Sequence, residues 1–272
     1  MFNSLWTFLT FLCMIITLIP LFSVLIFVMF QGLEQVNLDL FTKLPPPPGL
    51  SQGGIANAIL GTLLTVGLAT LISVPIGVLT AVYLSEFSAG NQMARWVRFA
   101  TNVLSGVPSI IAGIFAYGLL VSTKIVGFSA VAGGVALAVS MLPTIIRTTD
   151  EALQLIPQEI RWAAFGLGAY NYQTVLKVVL PAAVPAILTG VTLAIARAAG
   201  ETAPLIFTAL FSNFWPKGIF EPIATLSVLV YNYAIVPFKP QQELAWAGSL
   251  ILVLLVLITN VAARWATRQK TH

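Results

Sequence analysis

Two ionisable residues, four positions apart, are the best placed in this chain to do chemistry inside a membrane. Arg197 and Glu201 fall in an apolar run over about residues 183–210, which is long enough to cross a bilayer. A charged side chain within such a span costs roughly 2.5–3.5 kcal/mol on insertion scales. At this spacing the two side chains share one helical face and can pair. Such a pair is typical of a substrate or ion pathway.

Prolines and hydroxyl residues near these charges predict interruptions of the helical backbone. Pro204 removes the hydrogen bond to the carbonyl of Gly200, which predicts a kink beside the pair. Thr202 is placed to satisfy freed backbone groups. In the third apolar run, Ser105 and Ser109 flank a similar Gly-Val-Pro break and are placed to offer donors to an anion. A purely structural ion pair and a plain helix kink are the alternatives.

The composition fixes the class of protein that must position these residues. Only 8% of the residues are charged and 58% are hydrophobic, whereas about a quarter of a soluble domain is charged. The sequence therefore predicts a polytopic membrane protein. Its net charge of +4 favours basic membrane loops over nucleic-acid binding. With one cysteine and one histidine, Cys13 and His272, the chain has no internal disulfide framework and no Cys/His metal site.

Six apolar segments reach about 20 residues, the length needed to cross the hydrocarbon core. They lie at about 6–30, 56–84, 99–121, 128–146, 183–210 and 244–263. We therefore predict an all-α membrane protein, a polytopic bundle of six transmembrane helices whose first helix is retained. The predicted divisions are a first helix with a proline-rich outer loop, a main membrane domain and a short tail, at 1–55, 56–266 and 267–272.

The distribution of basic residues predicts the orientation. The loops at 85–98 and 147–182 and the tail after 263 hold most of the basic residues outside the spans, so the positive-inside rule places both termini in the cytoplasm. On the other side, the apolar stretch 222–234 is too short to span, which predicts a re-entrant or interfacial helix.

The long cytoplasmic loop 147–182, between spans four and five, predicts three short helices. Residues 148–151 have the spacing of a capping box, 157–167 form a helix ended by Gly168, and Asn171 can cap the third. The middle helix carries an apolar stripe of Ile160, Ala163, Ala164 and Leu167, broadened by Trp162 and Phe165. Such a stripe predicts packing on the protein's own helices or insertion into a partner's groove.

This loop resembles the Glu-Ala-Ala loop of bacterial ABC importer permeases, in which a glycine and then an Ile-x-Leu-Pro sequence follow at fixed spacing. Here the pattern reads Trp162-Ala163-Ala164, Gly168, and Val178 before Leu180-Pro181, so tryptophan replaces glutamate and valine replaces isoleucine. The resemblance implies that residues near 158–168 form a cytoplasmic coupling helix docked on an ATPase. The implied contact residues are Glu159, Arg161, Trp162, Ala163, Ala164 and Gly168.

Further runs are similar to the phosphate-specific (Pst) permeases, and together they cover about residues 53–266. They include 54–62, 75–77, 81–86, 106–110 and 142–148, while 197–204 is more similar to the A-type than to the C-type subunit of that family. The resemblance implies phosphate as the substrate. Arg197 would face it, because a guanidinium presents a planar fork of donors that never deprotonates. Glu201 would hold Arg197 in place or accept a proton from protonated phosphate.

The same resemblance implies one of two permease subunits of an ATP-driven phosphate importer in the bacterial plasma membrane. The implied partners are a PstC-like permease, a PstB-like ATPase dimer and a PstS-like phosphate-binding protein. No Gly-x-x-x-x-Gly-Lys-Ser/Thr phosphate loop occurs in the sequence, so ATP and magnesium are expected on the ATPase. We expect no cofactor and no catalysis on this chain. The alternatives are a permease for sulfate, molybdate or a phosphonate, an ion-driven secondary transporter, and a membrane scaffold or sensor.

Overall fold

A computed structural model describes residues 2–88 and 91–268, and this part of the chain is helical throughout, with irregular connections. The helices are α1 Phe2–Leu33, α2 Leu38–Thr42, α3 Ala56–Val82, α4 Gln92–Gly106, α5 Ser109–Ala116, α6 Ala130–Gln154, α7 Gln158–Gly166, α8 Asn171–Thr174, α9 Leu180–Gly200, α10 Ala203–Thr208, α11 Leu226–Ala234 and α12 Lys239–Arg268. Three π-helical turns extend or join them, at Tyr83–Phe87 after α3, Tyr117–Val121 after α5 and Val175–Val179 between α8 and α9. Of the predicted tail, residues 269–272 lie outside the described residues.

Five helical segments in the described residues are long and apolar enough to cross a membrane, and a bent pair supplies a sixth if it is one span. The five are Trp6–Leu33, Ala56–Phe87, Ala130–Gln154, Asn171–Gly200 and Lys239–Ala262. The predicted all-α membrane bundle is therefore confirmed. The short α11 agrees with the expectation that 222–234 does not span.

The third predicted span is not a continuous helix. Instead of running through 99–121 with a kink, α4 and α5 meet at an angle of 106°. Val107 between them is extended, with φ −76° and ψ 127°, because the ring of Pro108 disfavours helical backbone in the residue before it. The prediction placed the interruption correctly but underestimated the bend.

The fifth predicted span is shifted along the chain. The helix expected over 183–210 runs from Asn171 to Gly200, so it begins and ends earlier. Its path continues through Pro181, which has no backbone N–H, because the π-helical turn Val175–Val179 directly before it relieves the clash of the proline ring with the preceding turn.

Helices α3 and α6 form the centre of the bundle and approach each other closely. A Cβ added at Gly77 of α3 would lie 2.7 Å from a side-chain carbon of Ile145 on α6. A Cβ added at Gly134 of α6 would lie 2.9 Å from Leu68 of α3. Glycine at these positions allows the two backbones to pack without voids, so the pair forms a rigid frame for the rest of the bundle.

The predicted capping box at 148–151 is wrong, because α6 continues to Gln154 without a break. Thr148 donates its hydroxyl to the carbonyl of Thr144 inside the helix, and Glu151 pairs with Arg147 one turn earlier. No glycine or proline interrupts residues 144–154, so the helix is free to propagate beyond the apolar segment.

Peripheral segments are fixed to the last helix. Phe27 of α1 packs edge-on against Trp246 of α12, with ring centroids 5.0 Å apart. In the proline-rich loop, the Gln241 side chain of α12 donates to the Pro47 carbonyl and accepts from the Gly49 backbone N–H. These contacts attach residues 2–50 to the bundle through α12.

Candidate functional site

The helix that carries Arg197 ends within the bundle. α9 stops at Gly200, Glu201 is extended with φ −71° and ψ 127°, and α10 starts at Ala203. The kink predicted from Pro204 is thus a full break, since proline fits the first turn of the new helix but not the continuation of the old one. The hydroxyl of Ser227, on α11, donates to the carbonyl of Glu201 at 2.9 Å.

This break lies about half-way through the bundle. Arg197 and Glu201 border the same small crevice as Ser140 and Thr144 of α6. The midpoint of α6, which runs from residue 130 to 154, falls between those two residues. Irregular backbone at membrane depth is tolerated where it is buried in protein or lines a water-filled path. The position therefore favours a pathway over a lipid-facing surface.

The Arg197–Glu201 pair forms as predicted but is loose. Arg197 Nε lies 3.4 Å from Glu201 Oε1, beyond the usual hydrogen-bond range of about 2.7–3.2 Å. The Arg197 side chain is 60% exposed in the isolated chain, whereas that of Glu201 is 15% exposed. Among the described residues, the guanidinium makes no other hydrogen bond, so its two terminal nitrogens are open to a ligand.

A cavity of about 290 Å³ brings Arg197 together with both serines predicted from the third apolar run. Ser105 lies in the last turn of α4, Ser109 is the first residue of α5, and the sharp bend between these helices forms one wall. The rest of the lining is Leu104, Val107, Ile111, Ala112, Phe115, Val139, Ser140, Pro143 and Thr144. The cavity therefore has apolar walls with a few convergent polar groups, which is typical of a ligand site.

The polar groups of this cavity are unequal as anion donors. Ser105 already donates its hydroxyl to the carbonyl of Thr101 at 2.8 Å. Ser109 is the first residue of α5, so the positive end of that helix opens into the cavity. Ser140 and Thr144 were missed by the sequence analysis, although their spacing of four in an apolar span was a usable signal. Arg197 and the start of α5 form the electropositive part of the cavity.

Two residues predicted for the pathway lie elsewhere. Pro204 is buried and packs on α5, where a Cβ added at Gly113 would lie 2.5 Å from the Pro204 Cα. Thr202 is partly buried, and its backbone carbonyl accepts from the N–H groups of Leu205 and Ile206, whereas its side chain, expected to satisfy freed backbone groups, makes no capping hydrogen bond. Neither lines the described cavity, so both shape the α9–α10 break rather than the cavity wall.

The predicted middle helix of the loop is α7. Gly168, at φ +83°, ends it as expected, because a left-handed residue there costs glycine little. The third helix begins at Asn171, and Tyr170, not Asn171, occupies the capping position. Of the predicted apolar stripe, Ala164 is buried, while Leu167 is 91% exposed. Ile160, Trp162, Ala163 and Phe165 are exposed too, as is Glu159, so α7 presents an open apolar face.

Arg161, predicted to contact an ATPase, points into the protein instead of outward. Its guanidinium forms a bidentate ion pair with Glu86, which lies on the π-helical turn after α3. A second bidentate pair joins Arg98 of α4 to Asp150 of α6, at 2.6 and 3.2 Å. No local sequence pattern indicates Glu86, Arg98 or Asp150, because their partners lie more than 50 residues away along the chain.

Comparisons with known proteins show which family has this architecture. The family model described as "Binding-protein-dependent transport system inner membrane component" matches residues 73–272. The phosphate transport system permease protein PstA of Yersinia pestis is 43% identical over 89% of this chain and 82% of its own length. PstA of Haemophilus influenzae is 43% identical over 96% of this chain and 92% of its own. A bacterial alginate ABC transporter, solved with a periplasmic protein, shares the fold at 16% identity, with a TM-score of 0.71 over 99% of this chain and 96% of the matched chain.

The candidate spans and these relatives define a multi-pass membrane permease, since the relatives are transport permeases and not enzymes. The chain belongs to the binding-protein-dependent transport permeases and, within them, to the PstA family of phosphate transport system permeases.

Proposed function

We propose that this chain is the permease subunit of an ATP-driven importer of inorganic phosphate and forms half of the translocation pathway. The observation that carries the proposal is the mid-depth cavity in which Arg197 presents unused donors beside the start of α5. The PstA relatives support phosphate as the oxyanion.

The chemistry of the cavity suits a small oxyanion. A guanidinium donates to two oxygens at once, and a helix start adds partial positive charge and free N–H groups. Glu201, largely buried in the small crevice beside Arg197, is placed to accept the proton of a protonated phosphate. Fully ionised sulfate has no proton to donate, so this carboxylate would disfavour it.

Arrangement in the membrane follows from the charge distribution. We place the α7 end and both termini in the cytoplasm, as the basic loops favour. The open apolar face of α7 then meets the ATPase dimer, a PstB-like chain that holds ATP and magnesium. A PstC-like permease completes the pathway, and a PstS-like protein delivers phosphate from outside.

The test is ATP-driven uptake of labelled phosphate into liposomes that hold the four-component complex. Arg197→Ala should lower uptake roughly 30-fold or more, because loss of a hydrogen-bonded charge in a recognition site costs at least about 2 kcal/mol. Arg147→Ala is the matched control, since Arg147 forms an exposed pair of the same spacing with Glu151. Equal uptake by both variants would reject Arg197 as the residue that contacts phosphate.

Substrate competition separates phosphate from other oxyanions. We expect excess sulfate, molybdate or phosphonate to leave wild-type uptake almost unchanged. Strong competition by any of them would reassign the substrate. Uptake that persists without the ATPase would indicate an ion-driven carrier.

A further inference from the structure

Arg161 lies where α7 begins and where the α3 segment and α6 end. Its Nη2 lies 2.7 Å from Glu86 Oε1, and its Nε lies 3.1 Å from Glu86 Oε2. The two side chains are only 11% and 6% exposed. Arg161 belongs to α7, and Glu86 to the π-helical turn that ends the α3 segment. This ion pair therefore joins α7 directly to the second span.

The same guanidinium also holds the end of α6. Nη1 donates to the carbonyl of Ile156 at 2.6 Å, and Nη2 donates to the carbonyl of Leu153 at 3.0 Å. The Leu153 carbonyl also accepts from the backbone N–H of Ile156 at 3.3 Å, and a cation at a helix C-terminus interacts favourably with the helix dipole. All three nitrogens of Arg161 are engaged, and we call this group of Arg161, Glu86, Leu153 and Ile156 the Arg161 clamp.

Arg161 stays protonated in the clamp. The hydrogen bonds that Arg161 donates to Glu86, assisted by the Coulombic attraction of that carboxylate, raise the pKa of Arg161 above its ordinary value despite partial desolvation. A lysine could not reproduce the arrangement, because an ammonium is a compact donor without the planar fork of a guanidinium.

The Arg161 clamp is attached to α3 and α6, the two central helices of the bundle. α3 and α6 are in close contact at Gly77 and Ile145, and α6 carries Ser140 and Thr144 of the mid-depth cavity. Because packed helices move as rigid bodies, a displacement of α7 passes through the clamp to both spans.

We propose that Arg161 and Glu86 are positioning residues that tie α7 to the ends of α3 and α6, so that movement of α7 is converted into movement of the pathway. The inference rests on the proposed function, in which α7 docks on the ATPase. Without the clamp, α7 would still bind its partner, but its movement would be lost in a flexible joint.

The first experiment measures phosphate taken up per ATP hydrolysed by the reconstituted complex. Glu86→Gln and Arg161→Lys should retain ATP hydrolysis but lower this ratio by about 5-fold or more, the lower range of site-to-site couplings. The double variant should be no worse than the stronger single one, because both changes break one interaction. Arg147→Gln and Glu151→Gln, in the exposed pair of α6, should leave the ratio unchanged.

An unchanged ratio in the clamp variants would overturn the proposal, even if their thermal stability fell, because a merely structural pair predicts that pattern. An equal fall in the exposed-pair controls would overturn it too.

A second experiment does not depend on which solute is carried. Spin labels are placed at Phe87 and Gln158, both exposed, after Cys13→Ser removes the single native cysteine. With Glu86 present, the distance distribution in the complex should be narrow and unaltered by ATP, and Glu86→Gln should broaden it. A distribution that is broad with Glu86, or that Glu86→Gln does not change, would overturn the clamp. Failure of the wild type to import phosphate, with these distances as expected, would count against phosphate import alone.

Discussion

Two arginine–glutamate pairs in this bundle differ in almost every physical respect. Arg197 and Glu201 are one helical turn apart in sequence, 3.4 Å apart in space, and the arginine is 60% exposed. Arg161 and Glu86 are 75 residues apart, 2.7 Å apart at their closest atoms, and both are almost fully buried. The first pair leaves donors unused, whereas in the second the carboxylate and the carbonyls of Leu153 and Ile156 engage every nitrogen of the guanidinium.

The contrast shows how one pair of residue types supports two roles. A ligand site needs donors that are held in place but not satisfied, since the ligand must satisfy them. A structural joint needs the opposite, because an unsatisfied buried charge is costly. Exposure and donor use, and not residue identity, separate the proposed pathway pair from the proposed clamp.

The largest difference should appear in stability. Glu86→Gln leaves Arg161 buried without its counter-ion, which should cost about 3–5 kcal/mol of unfolding free energy. Arg197→Gln should change it by only about 0.5 kcal/mol, as at other exposed sites. Equilibrium unfolding in mixed micelles measures both, and similar costs for the two variants would contradict the distinction.

Gly113→Ala tests whether the α9–α10 break is rigidly held. The new Cβ would lie 2.5 Å from the Cα of Pro204, and backbone atoms cannot move aside easily. We expect a loss of about 1–3 kcal/mol from overpacking, together with reduced uptake. Gly118→Ala is the control, because a Cβ there meets nothing within 4 Å. A stability unchanged by Gly113→Ala would mean that α10 shifts freely.

Ser227→Ala removes the bond that ties α11 to the break. We expect a loss of about 0.5–1.5 kcal/mol, since the carbonyl of Glu201 loses its donor. In Ser249→Ala, the lost hydroxyl bonds only one turn back, to the carbonyl of Ala245 in α12, and the cost should be smaller. Chemical unfolding of the two variants side by side measures the difference. Equal costs would show that Ser227 does not hold the break.

The smallest effect is expected at the exposed pair of α6. Arg147→Gln should cost only about 0.3–0.5 kcal/mol, the usual contribution of an exposed pair with this spacing. High salt should abolish even this difference, whereas it should leave the cost of Glu86→Gln largely intact. A salt-insensitive loss at Arg147 would mean that this pair is more than a surface contact.

Local sequence patterns predicted helix ends and interruptions that depend on neighbouring residues. Gly168 ends α7 as expected, and Pro108 interrupts the third span where the sequence placed it. The capping box at 148–151 failed, because the same residues are equally compatible with a helix that simply continues. Periodicity gave α7 an apolar stripe without deciding between packing inside the protein and docking on a partner, and in the structure Leu167 of that stripe is 91% exposed.

The sequence by itself determined the class of protein, the number of apolar segments and the pair Arg197–Glu201, because hydropathy and a spacing of four are local properties. Only the tertiary structure decided that Arg197 shares a cavity with Ser105 and Ser109, since the 106° bend between α4 and α5 brings the serines there. It also decided that Arg161 turns inward to Glu86. Contacts between distant segments depend on how helices pack, and no single segment of the chain encodes that packing.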